Sequence, residues 1–177
     1  MRLRSLLVGA IAGVITFGLA LPASAAPAGG PTVATVTVTG GALEITLPTD
    51  ANLGTRANTV TGGIISGALG EVVVSDARSS AAGSGWVASV ISTAFTPPAG
   101  PAIAASAVGY AAGTITKFGT ATYTANNPAD LTAASAAVTA TGITGDNSAT
   151  WNPTINVAVA GGLAAGVYTA TITHSLT

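Results

Sequence analysis

Two stretches near the end of the chain decide the fold class: Trp151-Asn152-Pro153-Thr154-Ile155-Asn156-Val157-Ala158-Val159 and Val167-Tyr168-Thr169-Ala170-Thr171-Ile172-Thr173-His174-Ser175-Leu176. In the first, Trp151, Pro153, Ile155, Val157 and Val159 share one face, while Asn152, Thr154, Asn156 and Ala158 share the other. In the second, Tyr168, Ala170, Ile172, His174 and Leu176 point one way and Val167, Thr169, Thr171, Thr173 and Ser175 the other. A period of two belongs to a strand; a helix begun at Tyr168 would carry Thr171 and Ser175 on its apolar face. The Gly- and Ala-rich run 160–166 joins the two, so the pattern predicts an antiparallel hairpin with a longish loop.

Weaker strand signals fill the chain upstream. Ala34, Val36 and Val38 interleave with Thr35, Thr37 and Thr39, and Leu43, Ile45 and Leu47 with Ala42, Glu44 and Thr46. Gly40-Gly41 between them marks a hairpin, a bulge, or a bend in one long strand. Further strands are expected near 64–69, 71–76, 86–93, 103–110, 114–124 and 137–143. The Ala-rich pieces 102–112 and 133–140 have a composition compatible with helix, but the Val, Thr and Gly within them favour strands. Together these segments predict an all-β domain, an antiparallel two-sheet β-sandwich of roughly eight to ten strands.

Composition narrows the chemistry. A chain of 177 residues with 6% charged residues, 49% hydrophobic residues and 38 Ala leaves room for one domain, or at most two small ones, with a core of small side chains. Five Lys and Arg against six Asp and Glu provide no basic stripe for phosphates, which removes nucleic acid as a partner. Without Cys there is no thiol nucleophile, disulfide framework or Cys-ligated metal, and no cofactor is implied.

Arg2 and Arg4 precede an uncharged stretch from Leu6 to Leu21, and Pro22 then leads into Ala23-Ser24-Ala25, with small residues at both recognition positions of a signal peptidase. Residues 1–25 therefore read as a cleaved secretory signal peptide, 26–31 as a flexible Ala/Gly/Pro leader and 32–177 as the domain. The charges left after cleavage are Arg56, Arg78 and Lys117 against Glu44, Asp50, Glu71, Asp76, Asp130 and Asp146. Such a sparse, mildly acidic surface suits neutral or sugar-rich partners better than membranes or polyanions.

Reactive constellations are hard to assemble. His174 is the only imidazole, no G-x-S-x-G elbow surrounds any Ser, and the alternation sets His174 on an apolar face, as a packed or groove-facing residue bonded to backbone. The carboxylates are scattered singly, so Asp50, Asn52, Asp146 and Asn147 read as turn residues bonding local amides rather than as a calcium loop. Lys117 reads as a solvated charge, with an amide crosslink to Asn or Asp as the sharper alternative.

Val72-Val73-Val74-Ser75-Asp76-Ala77-Arg78, followed by a small-residue loop and Gly85-Trp86-Val87-Ala88-Ser89-Val90, resembles the first signature of the WxL-domain family of Gram-positive surface proteins. Trp151-Asn152-Pro153-Thr154-Ile155 and then Gly166 to Leu176 resemble the second, in the same order and separation. The proximal tripeptide reads Trp86-Val87-Ala88, with Ala for Leu; the distal one reads His174-Ser175-Leu176, with His for Trp. The resemblance implies a secreted, non-enzymatic β-rich protein associating non-covalently with cell-wall peptidoglycan or an associated wall polymer, often beside other surface proteins. It also implies that Trp86, Tyr168, His174 and Leu176 face the wall. The alternative expectation is an assembly module that adds strands to itself or to other secreted proteins through a sheet edge.

Overall fold

The computed structural model describes residues 33–177; the expected signal peptide and leader lie outside the described residues. The chain divides into residues 1–37 and residues 38–177. Of the first unit, residues 33–37 are exposed and lie outside any strand, and Val38 and Thr39 of the second begin the same way. The alternating Val/Thr run is therefore not a strand here, contrary to its pattern.

The second unit is all-β, with two antiparallel sheets. Its strands are β1 (Leu43–Thr46), β2 (Gly63–Ala68), β3 (Val72–Ser92), β4 (Val108–Ala111), β5 (Thr116–Ala125), β6 (Ser135–Trp151), β7 (Thr154–Val159) and β8 (Ile172–Leu176). One sheet has the order β1-β3-β6-β5, with β8 also on β3; the other has the order β2-β7-β4. The signals at 71–76 and 86–93 belong to the single long strand β3, and the span 103–110 resolves into a 3-10 turn at Ala105–Ala107 followed by β4.

The β3–β6 pair is the spine. Val72 lies opposite Trp151, Asp76 opposite Asn147, Trp86 opposite Ala140 and Val90 opposite Ser135. Val72, Val74, Trp86, Ala88 and Val90 are buried at alternate positions, so one face of β3 looks into the core. The register shifts between Asp76 and Trp86, where Ser79 has φ 53° and Gly83 φ 93°. These extra residues make bulges that bend the pair midway. Ser79 is the non-glycine residue with positive φ among the described residues, and its strain is offset by Asp146, whose Oδ1 accepts from both the Ser79 N–H at 3.0 Å and its Oγ–H at 3.1 Å.

The closing segments differ from the expected hairpin. Trp151 ends β6 in the larger sheet, Asn152-Pro153 interrupts the ladder, and β7 continues in the smaller sheet between β2 and β4. Pro153 carries no N–H to donate, which explains a break at this point in an otherwise continuous alternation. The alternation itself persists, because Trp151, Pro153, Ile155 and Val157 are all buried. Strand β8 pairs with β3 rather than with β7, placing Val90 opposite His174 and Ala88 opposite Leu176. Gly40-Gly41 is likewise not a hairpin, since only β1 follows it; the Gly41 N–H donates to the Ala77 carbonyl and prolongs the β1–β3 ladder.

The core combines side chains of both sheets: Val72, Val90, Ile143 and Trp151 from the larger, Val108, Tyr110, Ile155 and Val157 from the smaller. Trp151 and Tyr110 are the largest fully buried side chains, so in an Ala-rich interior they supply much of the buried area.

Candidate functional site

After β1 the chain makes a long irregular excursion, residues 47–59, across the inner face of β2. Gly63, Ile65 and Gly67 alternate on that face, and the two glycines make the approach possible. A Cβ at Gly67 would collide with the Leu53 backbone, and one at Gly63 with the Arg56 guanidinium. Polar bonds fasten the excursion: Asn52 Oδ1 accepts from the Gly54 N–H at 2.9 Å, Arg56 Nη2 donates to the Gly62 carbonyl at 3.0 Å, and Asn58 Nδ2 donates to the Leu163 carbonyl.

Between this excursion and the run 163–172 lies a cleft of about 700 Å³. Ile65, Phe95, Ile103, Val157, Val159 and Ile172 line its interior. The exposed side chains of Asp50, Asn52, Arg56 and Asn58 border it, with half-buried Tyr168, whose hydroxyl donates to the Ala164 carbonyl at 2.9 Å. The ion pair among the described residues is Asp76–Arg78, so Arg56 has no carboxylate partner there.

His174 also lines this cleft. The Trp151 indole N–H donates to the Tyr110 hydroxyl at 2.7 Å, and that hydroxyl lies 3.2 Å from His174 Nε2, with the two rings edge-on at 5.6 Å. Trp151 uses an acceptor site of the Tyr110 oxygen, and the buried phenolic hydrogen then needs an acceptor, which neutral Nε2 provides. The ring is therefore the Nδ1–H tautomer. Burial pulls the His174 pKa down to about 4 and pushes Tyr110 up to about 12. Three side chains from β6, β4 and β8 thus form a neutral relay that bridges both sheets. Its partner for the imidazole is a side chain, where the sequence suggested backbone.

The four residues singled out by resemblance are placed unevenly. Trp86 is only 2% exposed, its indole N–H donating to Asn147 Oδ1 at 3.2 Å and its ring 5.8 Å from that of Tyr123. Trp86 is therefore a core residue and no wall-facing contact is open to its ring. His174 is buried and Leu176 half-buried against the core; both face the same side of the sheet as Ala88 and Val90, their cross-strand partners. Tyr168 and His174 meet at the cleft; Trp86 is not among its lining residues.

A second polar cluster escaped the sequence reading. Asp76 is 1% exposed and its carboxylate accepts from Arg78 Nε and Nη2, both at 2.8 Å, and from Asn147 Nδ2 at 3.3 Å. Asn147 in turn accepts from the Trp86 indole and, at 2.9 Å, from the Tyr123 hydroxyl. The side-chain hydrogen bonds from Arg78 hold the Asp76 carboxyl below the usual carboxylate range. Asp76-Ala77-Arg78 and Trp86 are thus linked through Asn147, which is a buried hub rather than a turn residue. The alternation of Val72, Val74 and Asp76 gave the signal, since it placed a carboxylate on the inward face. Lys117 is exposed on β5, without the burial an amide crosslink needs.

Among the described residues no three His, Cys, Asp or Glu side chains converge as metal ligands, and no helix is long and apolar enough to cross a membrane. The chain matches no family model, no curated protein and no solved structure.

Proposed function

We propose that the chain is a secreted, non-enzymatic surface protein, a divergent WxL-like β-sandwich that associates non-covalently with peptidoglycan or an associated wall polymer. The sandwich reading is supported by a core drawn from both sheets and by the Trp151–Tyr110–His174 relay, whose members come from opposite sheets. One observation carries the binding reading: the cleft between residues 47–59 and 163–172 is bordered by amide, hydroxyl and aromatic groups beside the opposite charges of Asp50 and Arg56, a set that recognises sugars and peptides through hydrogen bonds and ring contact. The binding residues from the resemblance reduce to Tyr168 at the border and His174 beneath it. A role without catalysis is supported by the engagement of His174, whose Nε2 accepts from the Tyr110 hydroxyl, a phenol that burial pushes away from its nucleophilic phenolate form.

The test is retention of the secreted chain on purified cell wall. Tyr168→Ala is expected to reduce the retained fraction severalfold while leaving thermal unfolding nearly unchanged. Loss of all retention at moderate salt with the unsubstituted chain would overturn the reading.

A further inference from the structure

The cleft combines two features that its border alone does not explain. Its interior is aliphatic and aromatic, with Phe95, Ile103 and Val157 buried and Ile65, Val159 and Ile172 half-buried, so apolar surface remains accessible within it. Its border holds one of the few cations, Arg56, laid flat over Gly63 and lacking a carboxylate partner among the described residues. One amino group donates to the Gly62 carbonyl, which fixes the side chain and leaves further N–H groups of the fork to donate elsewhere. His174 stays neutral beneath, so no buried charge opposes an apolar guest.

We propose that this cleft takes an amphiphile with one acyl chain and an anionic head, the chain lying along Ile65, Val157 and Ile172 and the head on Arg56. Its volume, about 700 Å³, falls within the range of pockets that enclose small ligands. A sugar chain would satisfy the polar border and leave the interior surface in water; an acyl chain removes that surface from water. This inference rests on the cleft being the binding site of the preceding section, and it names the class of wall component: an acylated polymer whose lipid end enters the cleft. A free fatty acid presents the same chemistry.

The decisive experiment titrates the purified chain with a fluorescent long-chain fatty acid and repeats wall retention before and after lipid extraction of the wall. Saturable 1:1 binding is expected, weakened about tenfold by Arg56→Gln as one charge-assisted contact is lost, with the corresponding fatty alcohol unaffected. Ala170→Trp, an indole added to the half-buried lining beside Ile172, should abolish the binding, and Ala165→Trp, on the exposed rim, should weaken it severalfold; circular dichroism identifies any variant that fails to fold. Wall retention lost on lipid extraction assigns the acylated polymer, and retention indifferent to extraction with fatty acid still bound assigns the free acid. Retention on wall without any saturable fatty acid binding overturns this inference and leaves the wall reading standing. Fatty acid binding without wall retention does the reverse.

Discussion

His174 shows how one residue's surroundings decide its chemistry. An imidazole in water exchanges its proton near pH 6.5; here burial lowers that value to about 4, and Tyr110 donates to the nitrogen that would take the proton. The unfolded chain therefore binds a proton over a range where the folded chain does not. Stability from this group is complete above about pH 6.5 and is lost as pH falls toward 4, a total of about 3 kcal/mol. Asp76 also has a lowered pKa, but its contribution is lost below the ordinary carboxylate value of 3.8, so the two windows separate. Urea unfolding between pH 7 and pH 4 should show the falling midpoint, and Tyr110→Phe should lower stability at pH 7 by about 2 kcal/mol by leaving the Trp151 N–H and the imidazole without their buried partner. A flat profile between pH 7 and pH 4 would contradict the relay. Sequence alternation correctly gave His174 an inward direction, but Tyr110 lies 64 residues away in a segment with no strong pattern of its own, so the relay itself was not legible.

At the level of elements, local periodicity read well and pairing did not. Alternation located β2 and β7 to within a few residues because each turns one face inward, and it found β8 only over the second half of the run 167–176; it carries no information about which strand lies alongside. The expected hairpin failed for that reason: Trp151 to Val159 alternates without interruption, while the missing N–H of Pro153 ends one ladder and lets the next begin in the other sheet. Excursion 47–59 was equally invisible, since its seat is made by the absence of side chains at Gly63 and Gly67. Gly67→Ala is expected to push the Leu53 backbone off β2, costing about 1–3 kcal/mol and speeding tryptic cleavage after Arg56 severalfold. Limited proteolysis followed by mass spectrometry reads this directly, and an unchanged cleavage rate would mean that the excursion is not seated on that glycine.

For the whole molecule, the class was legible and the architecture less so. A chain of Val, Thr, Ala and Gly with few charges could bury its apolar positions only as sheets, and all-β is what forms. Sparse charge also raises the question of how the sheet edges avoid one another. Strand β5 answers it, being the outer strand of the larger sheet and exposed along most of its length. Lys117 sits on it opposite buried Ala149, and register shifts flank Thr120 after Gly119 at φ 84°. A charge on the edge strand and bulges along it both discourage strand addition. Lys117→Val is expected to raise the mass seen by light scattering, increasingly with concentration, above that of the unsubstituted chain; an unchanged mass would show that the bulges suffice.

The β3–β6 pairing joins residues far apart in the chain, with Val72 against Trp151 and Val90 against Ser135. A polypeptide made from its N-terminus therefore carries β3 for some sixty residues of synthesis before its main partner exists. During that interval β1 is, among the described residues, the one strand already made that pairs with β3, and Trp86 and Val90, beyond its reach, lack the strands that bury them. The larger sheet is therefore completed late, and the nascent chain depends on whatever shields β3 until then.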